Sequence, residues 1–394
     1  MQDERARRTA GYYDRSMAPG ERWAAFVPHD LPPREPALDL PVEIVRRADA
    51  AMARLRDASP LLPSTDWVTF AIAQKESLLT SQIEGTQATM DDVLDWQARR
   101  GGATGGEPTD DVAEVLNHTA AMAYAFGQVT SERGLPICSR LLDNAHRILL
   151  RGVRGADRLP GEVRRSQNWV GGTRPGNAAY VPPPHTEVGR LLSSLYGYVH
   201  QDSPDIHPIV RAALVHAQFE LIHPYLDGNG RLGRLLVVLL LHYWGVLDRP
   251  VLHLSVALKR RRREYYDRLA DIPLRGDWEG WVSFFVDAVA DGADQTVAEI
   301  HALARTVEAD RHAVVGQQGV TVAAIRLFEM LPRFPVVEAS TVARELNLSN
   351  PAALRAIGLL VRTGVLVEQT GRLRGRQWSY EAYVSTLAVG TELA

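Results

Sequence analysis

Residues His223 to Arg234 read His-Pro-Tyr-Leu-Asp-Gly-Asn-Gly-Arg-Leu-Gly-Arg and run directly into Leu235-Leu236-Val237-Val238-Leu239-Leu240-Leu241. The apolar run behind a Gly-Asn-Gly turn predicts a buried helix that starts near Gly230 and continues to about Tyr243. The first N–H groups of a helix lack intrahelical acceptors, and the helix dipole adds positive potential at that end. Glycine lets the preceding loop turn several N–H groups toward one anion. Arg231 and Arg234 stand at i and i+3, close to one face of the first turn. Asp227 is placed to hold magnesium, which binds through one or two carboxylates plus phosphate oxygens. His223 beside it can take a proton at neutral pH. The segment therefore contains a polyphosphate cradle, a metal ligand and a base.

This segment resembles the motif of the Fic family, His-Pro-Phe-x-Asp/Glu-Gly-Asn-Gly-Arg-x-x-Arg, and departs from it only at Tyr225, where phenylalanine is usual. The resemblance implies a mainly α fold, a Fic-type helical core with a β-hairpin flap. It also implies a protein adenylyltransferase that moves AMP from ATP to a Ser, Thr or Tyr hydroxyl of a target protein and of itself. His223 is then the catalytic base and Asp227 the Mg²⁺ ligand. Gly228, Asn229, Gly230, Arg231, Leu232, Gly233 and Arg234 form the ATP site, with the Asn229 side chain steadying the transferring phosphoryl group. Tyr265 and Tyr266 resemble a tyrosine pair near the adenosine, and Pro160 to Gln167 resembles the family segment leading into the flap.

A second motif lies upstream. Thr80 to Gly85, Thr-Ser-Gln-Ile-Glu-Gly, fits the family's inhibitory pattern Ser/Thr-x-x-x-Glu-Gly/Asn. Thr80 and Glu84 are four apart, on one face of a helix that ends at Gly85. A carboxylate at a helix C-terminus opposes the dipole, which favours one that has a partner. In the family that partner is the second arginine of the main motif, here Arg234, which otherwise holds the γ-phosphate. A two-pronged Glu84–Arg234 pair is the expected brake.

Between residues 168 and 184 the helical pattern breaks. Asn168 to Gly172 and Ala179 to Pro184 read as two extended segments around a Thr-Arg-Pro-Gly-Asn turn. By resemblance this is the flap, and Gly172, Ala179, Tyr180 and Val181 are the expected docking positions for an extended piece of the target.

The 394-residue chain divides into an N-terminal arm (1–37), a helical region with the inhibitory helix (38–108), the catalytic core (109–315) and a separate C-terminal unit (319–388). Gly101 to Pro108 reads as a loop. The last unit, three helices followed by Val365–Glu368 and Gln377–Tyr380, resembles a winged helix-turn-helix. Its arginines (355, 362, 372, 374 and 376) are nearly balanced by Glu338, Glu345, Glu368 and Glu381, so packing or homodimerisation is favoured over DNA binding. Net charge is −3, which excludes a global basic field. The single cysteine, Cys138, excludes a disulfide scaffold, and with an N-terminus that lacks an apolar segment it points to the cytoplasm. The longest apolar run is too short to cross a bilayer. Two other readings fit the same residues: removal of AMP at the same site, and a DNA-bound regulator with a nucleotide-sensing core.

Overall fold

In the computed structural model, residues 10–16, 23–33, 38–61, 65–99, 107–203, 205–372 and 375–393 are described. Most of the expected 101–108 loop, and Arg374, fall outside them. The chain begins with an antiparallel pair, β1 (Gly11–Asp14) and β2 (Ala25–Pro28). Eleven helices follow: α1 (Val42–Ala58), α2 (Thr65–Ile83), α3 (Met90–Arg99), α4 (Asp110–Thr130), α5 (Ser139–Leu149), α6 (His185–His200), α7 (Pro208–Ile222), α8 (Asn229–Tyr243), α9 (Leu254–Arg260), α10 (Arg262–Arg275) and α11 (Trp278–Val315). The C-terminal unit runs α12 (Val322–Met330), β3 (Val336–Glu338), α13 (Ala339–Leu346), α14 (Asn350–Arg362), β4 (Val367–Glu368), β5 (Gln377–Ser379) and α15 (Glu381–Ala388). Its three strands form one antiparallel sheet in the order β3-β5-β4.

Helices α7 and α8 are apolar on nearly every side, which is the pattern of a helix with no solvent face. They pack on each other at the centre of the molecule. Gly233 makes close approach feasible there: a methyl at 233 would lie 2.5 Å from Glu220 Oε1 and 3.3 Å from His216 Nδ1, both on α7. Helix α11, 38 residues and so about 57 Å long, is the spine. Its Asp287 and Asp291 each pair with Arg47 and Arg261, and its Asp294 pairs with Arg54.

The N-terminal arm is a two-stranded ribbon with a buried face. Ala25, Phe26 and Val27 are fully enclosed, and the Phe26 N–H donates to the Val181 carbonyl at 2.9 Å. Helix α3 is an element the sequence reading passes over. It starts at Thr89, whose hydroxyl and Asp92 cap each other.

The C-terminal unit is not separate from the rest. One continuous core joins Leu78 of α2, Met90, Val93 and Leu94 of α3, and Leu303 and Val307 of α11 to Leu327, Ile357, Leu360 and Tyr383. Polar ties reinforce it. Thr341 Oγ1 donates to the Ala98 carbonyl and the Tyr380 hydroxyl to Asp310. At the end of α2, Gln82 Nε2 donates to the carbonyls of Ala88 and Thr391, at 3.0 and 2.9 Å. Lys259 Nζ binds both Gln82 Oε1 and the Glu392 carbonyl. The last turn of α2 is thereby fastened to residues 391–392, two positions before Glu84.

Candidate active site

The loop between α7 and α8 is shaped from both ends. Helix α7 stops at His223, which adopts a left-handed conformation (φ 48°), and α8 starts after Gly228 (φ 76°). A residue other than glycine held at positive φ is strained, and the surroundings must over-determine it. Arg164 does this. Its buried guanidinium donates to the carbonyls of His223 (2.9 Å), Pro183 (2.6 Å) and Ile222 (3.3 Å). Burial without a carboxylate pushes its pKa down to about 10. Burial, and then Arg164's charge, push His223 down to about 4, so the imidazole is neutral near pH 7. His223 faces the cleft.

Asn229 Oδ1 accepts from the Tyr225 N–H at 2.9 Å and its Nδ2 donates to the Tyr225 carbonyl at 2.8 Å. The side chain thereby closes the loop upon itself, with one N–H and one lone pair left over at the cleft wall. Tyr225 is a packing residue whose extra hydroxyl is satisfied by Asp143 Oδ1 at 2.7 Å. Its ring stacks on His146 at 4.0 Å. The Gly161 N–H donates to His146 Nδ1, so the other nitrogen carries the proton and donates to the Asp227 carbonyl at 2.9 Å.

Asp227 is part exposed on the cleft wall. Its Oδ1 accepts from the Gly228 N–H at 2.5 Å and lies 3.6 Å from Arg231 Nη2. Among the described residues no three His, Cys, Asp or Glu side chains converge on a metal position. A lone carboxylate fits a magnesium that takes its other ligands from phosphate and water.

The two motif arginines are both buried and held differently. Arg231 Nη1 pairs with Glu114 Oε2 of α4 at 3.2 Å, with both side chains about 2% exposed or less. Glu114 also accepts from Thr86 Oγ1 at 2.8 Å and from Arg154 at 3.3 Å. Arg231 is thus neutralised inside the protein, through partners that no local motif marks. Arg234 reaches to α2. Its Nε donates to Thr80 Oγ1 at 2.6 Å, and its Nη2 donates to the Thr80 carbonyl at 3.1 Å and to Glu84 Oε1 at 2.6 Å. The expected two-pronged pair is absent: Thr80 takes one side of the guanidinium, so Glu84 holds a single nitrogen. Burial works against the Glu84 charge, but Arg234 outweighs it and holds the carboxyl below its usual range. The carboxylate lies so close to Gly230 that a methyl there would collide with it. Gly85, at φ 98°, turns the chain away just after it. Glu84 therefore lies against the first turn of α8, on the wall of a cleft of about 420 Å³.

The rest of the expected set divides. Gly228, Gly230 and Arg231 line the cleft with His223, Asp227 and Glu84. Leu232 is fully buried in the core and Gly233 faces α7, so neither side reaches the cleft. Tyr265 is buried with its hydroxyl on His216 Nε2 at 2.9 Å, while Tyr266 is part exposed under the Arg262 guanidinium. The flap is joined by a single antiparallel bridge, Val170–Tyr180. Of the expected docking residues, Gly172 continues the first flap segment, and Ala179, Tyr180 and Val181 lie on the second. The Tyr180 hydroxyl donates to the Leu221 carbonyl at 2.6 Å, and the Val181 carbonyl is taken by β2. Gly172 and Ala179 are exposed beside the hairpin turn. The strand that lines the cleft is Asn168-Trp169-Val170-Gly171, with Trp169 and Val170 exposed.

Comparison with known proteins adds to this geometry. The model of the Fic/DOC family N-terminal region matches residues 42–127, and that of the Fic/DOC family matches residues 136–241. A protein adenylyltransferase Fic from Culex quinquefasciatus is 32% identical over 188 residues, 47% of this chain and 34% of that protein. The chain thus spans about a third of that relative's length. A Fic family protein from Desulfovibrio desulfuricans shares the fold with TM-score 0.56 and 21% identity, over 88% of this chain and 98% of that one. Fic-1 from C. elegans does so with TM-score 0.50 and 23% identity, over 67% of this chain and 74% of that one.

Removing one partner of a buried pair leaves an uncompensated charge. Glu114→Ala is expected to lower unfolding free energy by about 3–5 kcal/mol in urea denaturation. Glu43→Ala, which breaks the exposed Glu43–Arg46 pair, is expected to cost less than about 1 kcal/mol. Equal effects would mean that the Glu114–Arg231 pair does not organise the loop.

Proposed function

This chain is a Fic-domain protein carrying the family's N-terminal region, and on that premise we propose that it is a protein adenylyltransferase restrained by its own Glu84. The observation that carries this reading is the Glu84 carboxylate on Arg234, at the cradle formed by Gly228 to Arg231 and opposite His223. An anionic side chain occupies the place that an anionic substrate group would take.

The chemistry follows from the groups present. Neutral His223 accepts the proton of a Ser, Thr or Tyr hydroxyl as its oxygen attacks the α-phosphorus of ATP. The bond from that phosphorus to the pyrophosphate oxygen breaks and pyrophosphate leaves. Asp227 would hold Mg²⁺, which supplies charge neutralisation on the phosphates. Backbone N–H groups at the α8 N-terminus face the transferring group, and Arg234 offsets charge on the outer phosphates. Arg234 can serve the γ-phosphate only after Glu84 leaves. The target's extended segment adds to the 168–171 strand, whose cleft side carries Trp169 and Val170. The protein modifies itself by the same route. The C-terminal unit is read as a packing module of winged type, because it shares a core with α2 and α3. No helix among the described residues is long and apolar enough to cross a membrane.

A second reading draws on the same contact. Glu84 and His223 line one cleft, so the carboxylate could position water for removal of AMP from a modified protein.

Incubation with Mg²⁺ and ATP, followed by intact mass, separates these. Glu84→Gly should gain AMP, and adding His223→Ala should slow that gain by about 10²–10⁴-fold. A flat result in Glu84→Gly, with AMP released from a modified substrate by the wild type, would favour removal. The depressed His223 pKa also sets a pH test at saturating ATP. Transfer by Glu84→Gly should be level from pH 7.5 to 6, whereas an ordinary imidazole would lose about fourfold.

A further inference from the structure

Glu220 lies one turn before His223 on α7 and has no role in the chemistry above. Its Oε1 is buried without a hydrogen-bond partner. So are His216 Nδ1, one turn earlier on the same face, and Arg234 Nη1. The carboxyl and the imidazole lie against Gly233 and the guanidinium against Gly230, one turn apart on α8. A methyl at 233 would meet Glu220 Oε1 and His216 Nδ1, and a methyl at 230 would lie 3.1 Å from Arg234 Nη1. The charges of both Arg234 and Glu84 act on the Glu220 carboxyl.

The brake creates a charge problem when it opens. Arg234 is fully buried, and its one carboxylate partner among the described residues is Glu84. Withdrawing Glu84 leaves a buried cation without a counter-charge until a phosphate arrives, and a buried uncompensated charge is strongly disfavoured. We propose that Glu220 is the positioning residue that supplies this counter-charge, holding Arg234 ready for the γ-phosphate between departure of Glu84 and arrival of ATP. The inference rests on the adenylyltransferase reading and deepens it.

The groups facing Glu220 permit this exchange. They are Arg234 from α8, Glu84 just past α2, Tyr265 and Tyr266 from α10, His216 on its own helix and His223 just past that helix. With Glu84 in place, burial raises the Glu220 carboxyl to about 8, Arg234 opposes the rise and Glu84 adds to it, so it is neutral near pH 7. His216 is pushed down to about 3 by burial and then by Arg234, so it stays neutral and contributes no charge. Removing the Glu84 charge removes a repulsion and leaves Arg234's attraction, which lowers the Glu220 pKa and shifts the carboxyl toward its ionised form. Phosphate on Arg234 restores the repulsion and Glu220 takes a proton back. One negative charge thus stays beside Arg234 throughout.

The test is proton uptake on binding Mg²⁺ with a non-hydrolysable ATP analogue, read by calorimetry at pH 7 in two buffers of different ionisation enthalpy. Glu84→Gly should take up more protons than Glu84→Gly/Glu220→Gln, by up to about one per site. Glu84→Gly/Glu220→Asp should recover the uptake, which a merely structural role for the side chain would not produce. Nucleotide binding with equal uptake in the Gln and Glu forms would overturn the proposal. Failure of Glu84→Gly to bind nucleotide or transfer AMP would instead overturn the functional reading beneath it.

Discussion

The buried Arg234 guanidinium is the group on which the arrangement of this molecule turns. A charge removed from water must be matched inside the protein, and here the match comes from a different segment of the chain. Thr80 and Glu84 reach it only because α2 lies across the first turn of α8 with its C-terminal end at the cradle. Everything that holds α2 in that place therefore bears on access to the site. The apolar side of α2 is shared with α3, α11 and the C-terminal unit, and Gln82 ties its last turn to residues 391–392. The C-terminal unit is thereby part of the mount for Glu84.

Arg231 shows the alternative solution to the same problem. Its counter-charge, Glu114, is permanent and deeply buried, with Thr86 and Arg154 completing the network. The two arginines are three residues apart, yet one has a deeply buried counter-charge and the other a part-exposed one. The difference lies in the partner. Glu114 sits within α4, whereas Glu84 stands just past a helix end, is part exposed, and holds Arg234 through one nitrogen. A single charge-assisted hydrogen bond beside open solvent is a contact that a triphosphate can displace.

Much of this was legible because the chemistry is local. The cradle, His223, Asp227 and the first turn of α8 fall within twelve consecutive residues, and the Thr80–Glu84 spacing places both on one helix face. What escaped the sequence depends on pairing at long range. Glu114 is 117 positions from Arg231, and nothing around it on α4 distinguishes it from a surface glutamate. A hairpin pattern does not say which edge is free, and here β2 takes the Val181 carbonyl while residues 168–171 line the cleft. That Asn229 also closes its own loop on Tyr225 is not visible in the motif. Helix α3 was within reach, since Thr89-x-x-Asp92 ahead of Val93 and Leu94 is a capping pattern before an apolar face. The shared core of the C-terminal unit was not, because apolar periodicity shows that a face is buried and not against what.

The central claim is that Glu84 and the outer phosphate of ATP compete for Arg234. Crystal structures of the wild type and of Glu84→Gly, each with Mg²⁺ and a non-hydrolysable ATP analogue, test it directly. The account predicts that in Glu84→Gly the γ-phosphate lies within hydrogen-bond distance of Arg234. In the wild type, either Glu84 keeps that arginine or the phosphate has displaced it, but not both. A wild-type structure with Glu84 and the γ-phosphate bound to Arg234 together would contradict it.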